Sequence, residues 1–101
     1  MTEDDVEEAV RRLIKDMQLK GFHVWKQHAR RASRGFPDWV IAGPGGVLFR
    51  ELKNQSEEPS DEQQEWLAVL TWGGADAAVW RPSDVLSGRV ARELQTLLRP
   101  R

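Results

Sequence analysis

The chain has 101 residues, enough for one domain with a single modest core, spanning residues 1–101. Hydrophobic residues make up 40% and charged residues 31%, which excludes a disordered chain, and the lack of cysteine excludes disulfides, thiolate zinc sites and cysteine nucleophiles. The net charge of −1 carries no overall nucleic-acid signal, no apolar run approaches a membrane span, and the N-terminus is acidic where a signal peptide is basic and then apolar. The expectation is a soluble protein of a reducing cytoplasm, with no membrane partner.

The charge is unevenly distributed. Residues 1–8 hold five acids and no bases, residues 54–65 again five acids and no bases, and residues 11–34 eight bases against Asp16 alone. Arg11, Arg12 and Lys15 read as the solvated face of a helix. Arg30, Arg31 and Arg34 read either as a basic loop or as contacts to phosphate, because they lead directly into the carboxylates described below.

Thr2 followed by Glu3, Asp4 and Asp5 is a helix start, with a capping hydroxyl and acids at the positive end of the helix dipole. Val6, Val10, Leu13, Ile14 and Met17 recur at helical spacing, and Gly21 supplies a stop, so a first helix is predicted over about residues 3–19. Phe22 to Gln27 alternates weakly and predicts a strand. His28 to Arg34 lacks periodicity and reads as a basic loop. Trp39–Ala42 and Val47–Lys53 predict two strands joined by the Gly43-Pro44-Gly45-Gly46 turn. Ser60 and Gln63 form a capping box for a second helix from Asp61 to about Trp72, ended by Gly73-Gly74. Ala77–Trp80 predicts a fourth strand, and a last helix opens at Ser83 and carries Val85 through Leu98. The order is α-β-β-β-α-β-α, an α/β fold.

The third strand concentrates the chemistry. Residues two apart share a face, so Glu51 and Lys53 point the same way, and a hairpin pairing brings Asp38 alongside them. Two carboxylates and an ammonium on a half-apolar face are costly unless paired or bound to an ion. Hard cations such as Mg²⁺ prefer carboxylate oxygens and retain water, and the carbonyl of Leu52 is the natural third oxygen. Such an ion acidifies an attacking water and neutralises charge on a phosphate, while Lys53 orients that water or stabilises the transition state. The bland alternative is a cross-strand salt-bridge cluster.

Other residues have structural explanations of their own. Glu3 and Glu7, a turn apart, read as first-turn acids serving the dipole, with an extra metal or water ligand at the strand ends as the alternative, and Gln63 reads as a capping residue, with donation to a metal-bound carboxylate or to DNA as the alternative. His28 reads as a surface histidine, or as a phosphate contact or general base. Trp25, Trp66, Trp72 and Trp80 read as core, with base stacking as the alternative. Trp39 leaves on the face opposite Asp38.

Gly35-Phe36-Pro37-Asp38, then Glu51-Leu52-Lys53, then Ser60-x-x-Gln63 together resemble the PD-(D/E)XK nuclease superfamily, and within it the small VRR-NUC nucleases of bacteria and phages. The likeness extends to Val79-Trp80-Arg81-Pro82 and to the opening Glu3, Val6, Val10, and covers nearly the whole chain. The resemblance implies a restriction-endonuclease-like core, a mixed four-stranded sheet flanked by helices. It implies hydrolysis of DNA phosphodiester bonds with Mg²⁺ or Mn²⁺. Asp38 and Glu51 become metal ligands, Lys53 the catalytic lysine, Gln63 the motif glutamine and Glu3 the N-terminal glutamate of the site. His28, Arg31 and Ser33 occupy a stretch where similar phage proteins carry a His and an Arg-Ser pair, and with Arg30 and Arg34 they are the expected DNA contacts. Members of this size resemble Holliday-junction resolvases and act as homodimers, which implies a structure-selective endonuclease of a bacterial or phage-infected cell. A DNA-binding module that keeps the fold without turnover is the alternative, and an adaptor domain the third reading.

Overall fold

The structure is a computed structural model that describes residues 1–29 and 33–101. Its elements are α1 (Glu3–Leu19), β1 (Trp25–His28), β2 (Trp39–Gly43), β3 (Gly46–Leu52), α2 (Asp61–Trp72), β4 (Asp76–Trp80), α3 (Pro82–Leu86) and α4 (Arg89–Gln95). The strands form one mixed sheet in the order β1-β2-β3-β4, antiparallel as far as β3 and parallel between β3 and β4. The parallel pair needs a crossover, and α2 provides it.

Strand periodicity explains the two layers. Trp39 and Ile41 of β2 lie on one face with Leu48 and Leu52 of β3, and all four are buried. They meet Val6, Val10 and Ile14 of α1 and Val90 and Leu94 of α4 in one continuous core. Thr2 caps α1 as the sequence suggested: its hydroxyl accepts from the Asp5 N–H at 3.3 Å, and its own N–H donates to Asp5 Oδ2 at 2.7 Å. The opposite face of the sheet is covered by α2. There Phe36 packs edge-on against Phe49 and Trp66, with ring centroids 6.1 and 5.0 Å apart.

Several expectations change. β1 starts at Trp25 rather than Phe22, and His28, expected in a loop, is its last residue, paired opposite Trp39. Trp25 and Trp72 were expected in the core but are 68% and 81% exposed: β1 is an edge strand, and α2 covers the sheet with only part of its surface. The fully buried tryptophans are Trp39 and Trp80. The single last helix is two, because Gly88 adopts a left-handed conformation (φ +84°) between α3 and α4. β4 begins one residue earlier than expected, at Asp76.

Arg50 alternates with Leu48 and Leu52 along β3 and is 1% exposed. Its guanidinium reaches Asp76 Oδ1 at 2.9 Å, Glu93 Oε1 at 3.0 Å and the carbonyls of Phe49 and Asp76. Glu93 also accepts from the Trp80 indole at 2.8 Å and from Arg89 at 2.8 Å. This network ties β3 and β4 to α4 beneath the main core, with every buried charge compensated.

Candidate active site

The strand register builds the site. Trp39 pairs with Arg50, so the next position outward sets Asp38 opposite Glu51 on the α2 face of the sheet. Pro37 precedes Asp38 and has no N–H to extend the ladder. The Asp38 side chain takes over from the strand instead, and its Oδ2 accepts from the Leu52 N–H at 2.9 Å. A strand residue turns its N–H and C=O to the same neighbour. The Leu52 carbonyl therefore lies on the Asp38 side, where the sequence placed a third oxygen.

Glu51 is 2% exposed. Its Oε2 accepts from Gln63 Nε2 at 2.6 Å and lies 3.8 Å from Lys53 Nζ. Its Oε1 is buried with no hydrogen-bond partner. Burial, and then the charge of Asp38, push the Glu51 carboxyl up to about 8, with Lys53 opposing. A buried carboxyl without an amide or ammonium donor on one oxygen, held next to a second carboxyl, is an arrangement a cation stabilises.

Gln63 reaches Glu51 because of where α2 starts. Ser60 Oγ accepts from the Gln63 N–H at 3.2 Å, and Gln63 Oε1 accepts from the Ser60 N–H at 2.8 Å. With the amide oxygen occupied by the cap, its nitrogen is left to face the sheet. Gly35 holds this geometry from the other side. Its φ is +82°, and a Cβ there would stand 2.6 Å from the Glu62 backbone, so the loop into β2 lies directly on the first turn of α2.

Lys53 is joined by a residue that sequence reasoning missed. Glu57 Oε1 lies 3.1 Å from Lys53 Nζ. The loop carrying Glu57 is clamped by Arg81, whose Nη1 donates to the carbonyls of Asn54, Gln55 and Glu57 at 2.8, 3.3 and 2.6 Å. Gln55 and Ser83 exchange two more hydrogen bonds across it, at 3.1 and 2.9 Å. The spacing of four between Lys53 and Glu57 was the sole signal, and outside a helix it implies no contact.

The other expected site residues are spread around this centre. Glu3 begins α1 at the edge of the site, where its N–H donates to Asn54 Oδ1 at 2.7 Å. Glu7, one turn on, pairs with Arg11 at 3.2 Å and lies 3.4 Å from His28 Nε2. His28 is half-buried, with its ring 4.8 Å from Trp39, so it is not the surface histidine expected. It belongs to the α1 side of the sheet, away from Asp38, as Trp39 was expected to be. Ser33 and Arg34 are exposed in the loop leading to β2, and Arg34 Nε lies 3.5 Å from Glu62. Arg30 and Arg31 lie outside the described residues.

Asp38 and Glu51, with the Leu52 carbonyl, are the groups here that can hold a divalent cation. Among the described residues no group of three or more His, Asp or Glu side chains gathers as a metal site. Oxygen donors in that small number suit a hard ion that keeps part of its water. In comparisons with known proteins, no family model, no curated protein and no solved structure matches this chain. No helix among the described residues is long and apolar enough to cross a membrane.

Proposed function

We propose that this protein is a metal-dependent endonuclease that hydrolyses phosphodiester bonds in DNA, selecting branched, junction or flap structures, on a restriction-endonuclease-like fold of the VRR-NUC type. One observation carries the reading. Glu51, buried with an unpartnered oxygen, lies across the sheet from Asp38 and beside Lys53 at the open ends of β2 and β3. A salt-bridge cluster accounts for Lys53 and Glu57 but leaves Glu51 Oε1 unsatisfied.

A bound Mg²⁺ or Mn²⁺ supplies the charge that acidifies water and neutralises the phosphate. Asp38 and Glu51 would hold it, with the Leu52 carbonyl as a third oxygen. Gln63 orients Glu51 through the hydrogen bond to Oε2, which leaves the buried Oε1 without that donor. Lys53 presents an ammonium to the scissile phosphate or its attacking water, and Glu57 holds that ammonium at 3.1 Å until substrate arrives. Glu3, at the mouth of the site, is placed to orient water. Exposed Arg34 and Ser33 furnish phosphate contacts, a role the resemblance gives also to Arg30, Arg31 and His28. A homodimer would set two such sites on two strands of a branched substrate.

The decisive experiment is cleavage of a panel of junction, flap, nicked and linear DNAs with Mg²⁺ or Mn²⁺. Asp38→Ala, Glu51→Ala and Lys53→Ala should each abolish cutting while circular dichroism stays native. A wild-type protein that cuts none of the panel with either metal would overturn the reading.

A further inference from the structure

The first helix carries a basic stripe that looks like ordinary solvated surface in the sequence. The fold gives it a second wall. Arg11, Lys15 and Gln18 of α1 face Lys26 of β1 across a groove floored by the buried Ile14, an open cavity of about 330 Å³. That is roughly ten times the ~30 Å³ share of one water molecule, so the groove admits a group of sugar-phosphate size.

Its electrostatics are one-sided. None of the lining residues is acidic. Arg11 has a carboxylate neighbour in Glu7, at 3.2 Å, whereas Lys15 and Lys26 have no ion-pair partner among the described residues. Two of the three cations gather on one ring: the Arg11 guanidinium carbon is 5.1 Å and Lys26 Nζ 5.8 Å from the centroid of Trp39. Trp39 is fully buried, and its indole N–H finds no acceptor among the described residues. Lys15 and Lys26, gathered across one groove with no counter-charge among the described residues, are relieved by an anion.

The groove lies on the α1 face of the sheet, behind edge strand β1, whereas Asp38 and Glu51 lie on the α2 face. β1 runs antiparallel to β2 with His28 opposite Trp39, so Lys26 lies three strand positions from the level of Asp38, about 10 Å at ~3.3 Å per residue. α1 runs the same way, from Glu3 beside Asn54 to Gln18, whose side chain donates to the Val24 carbonyl at 2.8 Å. Arg11 and Lys15 are one turn apart along it, about 6 Å. A nucleic-acid strand rises ~3.4 Å per nucleotide, so a strand that rounds the β1 edge from the scissile bond to the groove spans more than about three nucleotides.

We propose that Arg11, Lys15 and Lys26 form a phosphate-binding groove that holds the sugar-phosphate backbone of the DNA where it rounds the β1 edge, away from the Asp38–Glu51 centre. The identity of the polyanion as DNA rests on the nuclease reading; the charge arrangement does not. The groove positions substrate and takes no part in bond cleavage. Its contacts carry no base information, so they act equally on all sequences.

The test is fluorescence anisotropy of a labelled branched DNA in EDTA over a range of salt, using the full chain. The triple variant Arg11→Gln, Lys15→Gln, Lys26→Gln should bind about 10-fold or more weakly at 100 mM salt. The slope of log K against log salt should shrink by about 2–3, from three phosphate contacts at ~0.7–0.9 each. A control of equal charge change on other surfaces, Arg12→Gln, Arg92→Gln, Arg99→Gln, should keep most of the slope, and Lys15→Arg with Lys26→Arg should restore binding to the level of wild type. Unfolding of the triple variant is monitored by its melting curve, and in that event the single variants Lys15→Gln and Lys26→Gln, both at exposed positions, should each lower the slope by about one. An unchanged slope in the groove variants, or an equal loss in the control, overturns the groove. Groove-dependent binding by a protein that cuts nothing overturns the nuclease reading and leaves the groove standing; cleavage with groove-independent binding does the reverse. A wild type that binds no DNA at all overturns both.

Discussion

Gln63 donates from Nε2 to Glu51 Oε2 at 2.6 Å while its Oε1 accepts from the Ser60 N–H at 2.8 Å. One side chain therefore starts α2 and orients a buried carboxylate. The two tasks can be separated by mutation.

Gln63→Ala removes both. Loss of half a capping box costs about 1 kcal/mol, which lowers Tm by roughly 4–8 °C in a domain of this size. Gln63→Glu keeps an acceptor for the Ser60 N–H but sets a second carboxylate against Glu51. Its Tm should fall less than that of Gln63→Ala, while cleavage falls by at least about 10-fold, a readout of Glu51 and not of helix capping. Equal activity in Gln63→Glu and wild type would show that the hydrogen bond to Glu51 has no role in the site.

The raised Glu51 carboxyl makes the metal-free protein sensitive to pH. The folded state keeps a proton that the unfolded chain releases near 4.5, so this group's contribution is full below about 4.5 and is lost as pH rises through about 8. Glu51→Gln carries no such charge. In EDTA its Tm should exceed that of wild type by a margin that widens from pH 5 to pH 8.5. A margin independent of pH would mean that Glu51 titrates as an ordinary carboxyl.

Metal binding should show the opposite dependence. A cation competes with the proton on Glu51, so apparent affinity for Mg²⁺ or Mn²⁺ rises between pH 6 and pH 8. A metal present at 100 times its Kd stabilises the protein by about 2.7 kcal/mol. Thermal melts at pH 8 should rise accordingly in wild type and stay flat in Asp38→Asn and Glu51→Gln. Identical metal responses in all three proteins would place the ion elsewhere.

Arg50 makes a prediction independent of function. Breaking a buried ion pair by removing one partner costs about 3–5 kcal/mol. Asp76 and Glu93 are 51% and 27% exposed, so water recovers part of that loss. Arg50→Met should cost about 3 kcal/mol, read as a lower urea midpoint at unchanged slope. A midpoint within error of wild type would mean that the Arg50 network contributes nothing net.

The comparison of sequence and structure follows the range of each interaction. Cap, turn and periodicity signals act within a few residues, and they located α1, the Gly43–Gly46 turn, the capping box and the Asp38–Glu51 face. Strand alternation needs just two positions to assign a side, so Asp38, Glu51 and Lys53 were readable as neighbours before any fold was known. Burial is different, because it depends on what else covers a face. Trp25 and Trp72 carry the same side chain as Trp39 and Trp80, yet only the latter pair is enclosed. Arg50 reads as an exposed charge until Asp76 and Glu93 arrive from 26 and 43 residues away.

The hairpin at the centre of the molecule was thus determined by its own residues: alternation, a glycine-rich turn and a proline before Asp38. Contacts across the chain decided what the hairpin residues meet. Gln63 reaches Glu51 from α2, Arg81 clamps the loop that brings Glu57 to Lys53, and Lys26 closes a groove against α1. Each contact joins segments whose spacing in sequence carries no periodicity. Chain topology alone brings them within the few ångströms over which a hydrogen bond or ion pair acts.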